Sequence, residues 1–128
     1  MKELGVPTRL THDKDKTKAN LWCTIGPQDI GGVVLSGHTD VVPIDGQEWT
    51  KTPFKMSEQS GKLFGRGTSD MKGFCAIALA MAPEMKSRDL KVPIHFAFSF
   101  DEEVGCVGVR HLIKDVVDNL PLPRAVIV

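Results

Sequence analysis

Apolar residues recur along the chain with two different periods. Over residues 71–85 they fall at Met71, Phe74, Cys75, Ala78, Met81, Ala82 and Met85, the i, i+3, i+4, i+7 stripe of an amphipathic helix. Ile77 and Leu79 widen the stripe, which predicts a helix buried on much of its circumference, with Pro83 in its last turn. Short apolar runs at 33–36, 93–100 and 125–128 predict buried strands, and 20–25 alternates enough to be another. Residues 55–64 read as a small hairpin turning near Gly61, residues 101–105 as an acidic turn, and 106–119 as a second helix. Residues 11–20 are polar and aperiodic and predict a surface loop, and 43–54 predict a long loop rich in Pro, Gly, Asp and Trp. Lys2 to Leu4 fit the last turn of a helix ending before Gly5 and Pro7. Strands alternating with helices predict an α/β domain, a mostly parallel mixed sheet flanked by helices. Sites in such sheets form at the carboxyl ends of strands.

Composition narrows the function classes. A length of 128 residues suits one domain, and 41% hydrophobic with 25% charged residues is a globular rather than a disordered balance. Sixteen basic residues offset sixteen acidic ones, which argues against a nucleic-acid partner, since phosphate contacts need a basic excess. The longest apolar run, 74–83, is about half the roughly 20 residues of a membrane-spanning helix, so no membrane association is expected. The first ten residues lack the apolar stretch of a secretory signal. Cys23, Cys75 and Cys106 are odd in number, far apart and set in apolar segments, which predicts reduced, buried thiols in a cytoplasmic protein.

Three clusters carry candidate chemistry, and each also has a plain structural reading. His38 closes a predicted strand with Asp40 two residues on; it is either a metal ligand backed by an oxygen or a satisfied polar residue. Asp70 precedes the strongest helix, as a ligand or as a helix cap. Glu102 and Glu103 follow an apolar strand and precede a helix, as ligand and general base or as a complement to the helix N-terminus. Jointly they place one imidazole and several carboxylates at the same sheet edge, a donor set suited to zinc, cobalt or manganese. A cysteine hydrolase fits poorly, because the acidic turn beside Cys106 disfavours its thiolate.

The order HxD, then GRG-x-x-D-M-K-G, then a strand followed by Glu-Glu resembles the dizinc aminoacylase and carboxypeptidase-type family of metallohydrolases. Within it, SGHTDVVPIDGQEWTKTPF and GKLFGRGTSDMKGF are most similar to the acetylornithine deacetylase branch. The resemblance covers essentially the whole chain and implies a zinc-exopeptidase-like catalytic domain. It implies that His38 is a terminal ligand of one metal, Asp70 bridges two, and Glu103 is a terminal ligand of the second. Asp40 would orient the ligand imidazole, Glu102 would be the general acid/base, and the Asp70–Met71 peptide would be cis. The implied cofactors are two Zn2+ ions, with Co2+ an alternative. The implied substrate is a small N-acyl amino acid, N-acetylornithine of arginine biosynthesis, acted on by homodimers.

Succinyl-diaminopimelate desuccinylases and dipeptidases share the metal motif. The family pattern also continues beyond AVIV with a Gly-Glu-Pro-like segment, a later His ligand and an inserted dimerisation and lid domain. Residues 1–128 are therefore expected to be the N-terminal part of one catalytic domain, binding metal weakly, turning over little and self-associating. The alternative from another class is a non-catalytic fragment or interaction module.

Overall fold

A computed structural model describes residues 1–128. After a 3-10 turn at Lys2–Leu4, five strands form one sheet: β1 (Thr8–His12), β2 (Ala19–Ile25), β3 (Val33–His38), β6 (Ile94–Ser99) and β7 (Ala125–Ile127), in the order β1-β2-β6-β3-β7. A separate hairpin joins β4 (Ser57–Gln59) to β5 (Lys62–Phe64), and the helices are α1 (Lys72–Ser87) and α2 (Val107–Asn119). The β1–β2 and β2–β6 pairs are antiparallel, while β6–β3 and β3–β7 are parallel. The sheet is thus mixed, with a parallel limb that carries the β3 and β6 carboxyl ends side by side.

Alternation along β6 builds two cores, one on each face. Phe96 and Phe98 point with Cys23 and Ile25 toward Cys75, Ala78 and Ala82 of α1. Ala97 points the other way, into a cluster with Trp22, Val34, Leu112 and Val116, the last two from α2. The period of two along the strand, set against the helical spacing of Cys75, Ala78 and Ala82, sandwiches the sheet between α1 and α2.

Five expectations need correction. Thr11 and His12 end a strand rather than begin a loop: β1 pairs with β2 from Thr8↔Cys23 to His12↔Ala19. An edge strand exposed on both faces needs no apolar alternation, so its sequence looks like loop. Helix α1 buries only the stripe Cys75, Ala78 and Ala82; Ile77, Leu79 and Met81 are exposed, because α1 packs against a single sheet face. Its last turn also extends to Ser87, leaving Pro83 inside the helix. Strand β7 is exposed throughout, since it borders only β3 at the sheet edge. Cys106 is exposed as well, while Cys23 and Cys75 are buried; all three thiols are free.

Candidate metal centre

The parallel register sets the site. His38, the last residue of β3, lies opposite Ser99, the last residue of β6, so the chain leaving β6 enters its acidic turn beside the imidazole. The preceding Gly37 lets α1 press onto β3: a Cβ there would lie 2.7 Å from the Cys75 sulfur. That close approach brings the segment just before α1 to the end of β3. The Asp70 carboxylate stands 3.0 Å from His38 Nε2, and the Asp70–Met71 peptide is cis, as the resemblance implied. Asp70 does not cap α1, which begins after Met71 and has no side-chain cap.

His38 is buried, and its other nitrogen, Nδ1, lies 3.0 Å from the main-chain carbonyl of Asp40. A donated Nδ1–H leaves Nε2 as the free donor atom of the ring, the arrangement expected of a ligating imidazole. Without an ion, burial lowers the His38 pKa. The Asp70 hydrogen bond, the Asp40 carbonyl and the charges of Asp40 and Glu102 outweigh burial and hold it above its ordinary value.

The Asp40 carboxylate is committed elsewhere. Its two oxygens accept the backbone N–H groups of Glu102 (3.1 Å) and Glu103 (3.0 Å), and its nearest approach to His38 Nδ1 is a longer 3.5 Å. Burial pushes the Asp40 pKa up, but the amides of Glu103 and Glu102 pull it below the usual carboxylate value. Asp40 thereby ties the end of β3 to the turn after β6. His38 leans on Asp40 through its main chain, and the acidic turn leans on it through its side chain.

The result is a cluster in which one donor atom each from His38, Asp70 and Glu103 lie within 4.8 Å of one another. One imidazole nitrogen and two carboxylates suit a divalent cation of the zinc type. Glu102 flanks the cluster, with Oε2 3.7 Å from His38 Nε2, while the Cys106 thiol donates to its other oxygen at 3.4 Å. Neither glutamate lies in the first turn of α2, which starts from Cys106 and carries no acidic residue there. Two side chains that pattern reading did not single out, Lys18 and Asn20, also reach this turn. Their only trace in the sequence is a polar pair at the start of a strand.

The remaining conspicuous segments are tied together nearby. The Arg66 guanidinium lies over the Trp49 ring, 4.9 Å from its centroid, and donates to Gln47. The loop after Asp40 and the GRG segment before Asp70 therefore hold each other.

The chain is 43% identical over 99 residues to an acetylornithine deacetylase of Shigella sonnei, covering 77% of this chain and 26% of that protein. Among solved structures it superposes on an M20 family metallo-carboxypeptidase, Sso-CP2 of Sulfolobus solfataricus, with a TM-score of 0.73 and 25% identity, covering 98% of this chain and 29% of that one. It also superposes on YXEP of Bacillus subtilis, a dinuclear metal binding peptidase from the M20 family, with a TM-score of 0.57 and 25% identity, covering 94% of this chain and 32% of that one. The chain therefore spans about a quarter to a third of the length of these relatives. Residues 34–128 match the model of peptidase family M20/M25/M40, a span that includes every residue of the His38, Asp70 and Glu103 cluster, and the chain belongs to that family.

Proposed function

We propose that this chain is the N-terminal, metal-holding part of the catalytic domain of an amide hydrolase that removes the acetyl group from N-acetylornithine, a step of arginine biosynthesis. The observation that carries the reading is the convergence of His38, Asp70 and Glu103 on one point with Glu102 beside them. The similarity to a deacetylase at 43% identity supports the acetyl substrate, and the dinuclear metal binding of the Bacillus relative supports a pair of ions, Zn2+ or Co2+.

His38 and Glu103 would each hold one ion and Asp70 would be shared between them. Bound there, the metal would polarise the amide carbonyl and acidify a water. The chain's own residues supply positioning and proton transfer. His38 is steered by the Asp40 carbonyl. Glu102 takes the proton of the attacking water as the new C–O bond forms. It returns that proton to the amine nitrogen as the C–N bond breaks, giving acetate and ornithine.

With Asp70 shared, each ion would have two protein ligands from these residues, one short of the three typical of catalytic zinc sites. Weak metal binding and slow turnover by the chain alone follow. The same reading puts the protein in the cytoplasm, where unpaired thiols stay reduced, and has it work as a homodimer.

Equilibrium dialysis against Zn2+ tests the metal site. Weak uptake abolished by His38→Ala, Asp70→Ala and Glu103→Ala supports it, and uptake indifferent to all three refutes it. Two tightly held zinc ions would instead refute the expected weakness. Hydrolysis assays with Co2+ added compare N-acetylornithine, N-succinyl-diaminopimelate and a dipeptide. The metallo-carboxypeptidase similarity favours a peptide as the second reading, and preference for the dipeptide would replace the deacetylase assignment by it.

A further inference from the structure

We infer that Asn20, helped by Lys18, is a positioning residue for the metal centre: a clasp from β2 that sets the acidic turn carrying Glu102 and Glu103. The inference rests on the proposed roles of those two glutamates, but its geometry is independent of them. Neither clasp residue lies within residues 34–128, the span that matches the family model.

Asn20 has no exposed surface, and both polar atoms of its carboxamide are hydrogen-bonded. Oδ1 accepts the N–H of Phe100, where the chain leaves β6, at 3.3 Å. Nδ2 donates to the carbonyl of Gly108, in the first turn of α2, at 2.8 Å. One buried group therefore grips both ends of the segment between β6 and α2. The main chain closes the same gap from Gly108 N–H to the Phe100 carbonyl at 3.1 Å and from Val107 N–H to the Asp101 carbonyl at 3.0 Å. The fit leaves no slack: a Cβ on Gly108 would fall 2.2 Å from the Phe100 oxygen and 2.9 Å from Asn20 Oδ1. Only glycine lets α2 begin close enough for Asn20 to reach both partners.

The turn needs such restraint. Asp101 and Cys106, at its two ends, both take the left-handed conformation, with φ of 51° and 55°. Non-glycine residues stay there only when their surroundings hold them. Lys18 supplies the hold on Asp101, with its ammonium 2.8 and 2.6 Å from the two carboxylate oxygens. Asn20 supplies the hold at the flanks. Between these anchors Asp40 receives the amides of Glu102 and Glu103. The chemistry of the clasp demands a carboxamide. It must accept at one end and donate at the other, so an aspartate would face the Gly108 carbonyl with a second acceptor and lose that bond.

The test uses the whole chain as wild type, Asn20→Asp and Lys18→Met, and two readouts. Amide hydrogen exchange at Glu102 and Glu103 is compared with exchange in β6, and Co2+ is titrated while its visible d–d spectrum is recorded. Expected in both variants are native protection in β6, exchange at Glu102 and Glu103 faster by about tenfold or more, and Co2+ affinity weaker by about tenfold with an altered spectrum. Wild-type exchange and a wild-type Co2+ response in both variants would overturn the inference. So would a loosened turn with Co2+ binding unchanged. If Asn20→Asp loses protection in β6, Lys18→Met decides alone, because its side chain is half exposed and lies outside both cores. Failure of the wild type to take up Co2+ would defeat the proposed function, while the exchange data would still decide whether the clasp holds the turn.

Discussion

Asp40→Asn separates two jobs that an isosteric substitution is usually assumed to preserve. In the wild type both carboxylate oxygens accept main-chain amides, from Glu102 at 3.1 Å and Glu103 at 3.0 Å. A carboxamide has one oxygen, so its NH2 must turn toward one of those amides, donor against donor. Hydrogen bonds to a charged group contribute about 1.5–3 kcal/mol each. Partial exposure of Asp40 and the recovered cost of burying its charge put the net loss for Asp40→Asn at about 2 kcal/mol. At about 0.3 kcal/mol per degree for a chain of this size, that is a fall in Tm of about 7 °C.

The pH dependence gives the sharper check. The folded-state pKa of Asp40 is depressed, so its contribution is whole above the unfolded value and is lost as pH falls through the folded one. Thermal unfolding followed by circular dichroism in chelator should therefore show wild type above Asp40→Asn at about pH 7, the gap narrowing toward about pH 3. Equal melting temperatures at neutral pH, or a gap that does not change with pH, would refute the reasoning. His38 should keep its orientation throughout, because it bonds to the Asp40 main chain.

Gly37→Ala should lower the urea midpoint by the equivalent of about 1–3 kcal/mol, the cost of overpacking a Cβ against Cys75. Recovery in Gly37→Ala/Cys75→Ala, measured in the same titration, identifies the clash. A thiol-disulfide reagent should find one fast-reacting cysteine, Cys106, in the native chain and all three after denaturation; burial holds the Cys23 thiol at about 11. His95, buried beside Trp22, has its pKa lowered by that burial, so the unfolded chain takes the proton first and metal-free stability should erode as pH drops below 6.5. His38 works in the opposite sense, its contribution complete below 6.5 and lost as pH climbs through its raised folded value; urea titrations of His95→Gln across that range separate the two. The apolar residues exposed together along α2 and β7, Ile113, Val117, Leu122, Val126 and Val128, should make the isolated chain associate with rising concentration in sedimentation velocity, and a concentration-independent monomer would count against it.

What was readable in the sequence, and what was not, divides along a physical line. His38, Asp70, Glu102 and Glu103 stood out because each follows or precedes a short apolar run, and an α/β sheet gathers such positions at one edge; the His38↔Ser99 register then brings them together. Apolar runs and the helical stripe of α1 located β2, β3, β6, β7 and α1, but such a pattern measures how apolar a face is, not whether anything covers it. Ile77, Leu79 and residues 125–127 therefore looked buried and are exposed. The polar edge strand β1 failed in the converse way, needing no apolar face at all.

The bonds that hold the site leave no periodic trace. Asp40 reaches the amides of residues 102 and 103, and Asn20 reaches residues 100 and 108, each a side-chain to main-chain contact across more than sixty residues of sequence. Main-chain partners carry no identity in a sequence, so the donor set of a metal centre can be recognised from its letters while the clasp that aims it cannot. The sequence therefore points to the proposed ligand atoms. On the proposed clasp, their geometry is set by Asn20, Lys18 and Asp40, where substitutions should weaken metal binding without removing a single proposed ligand.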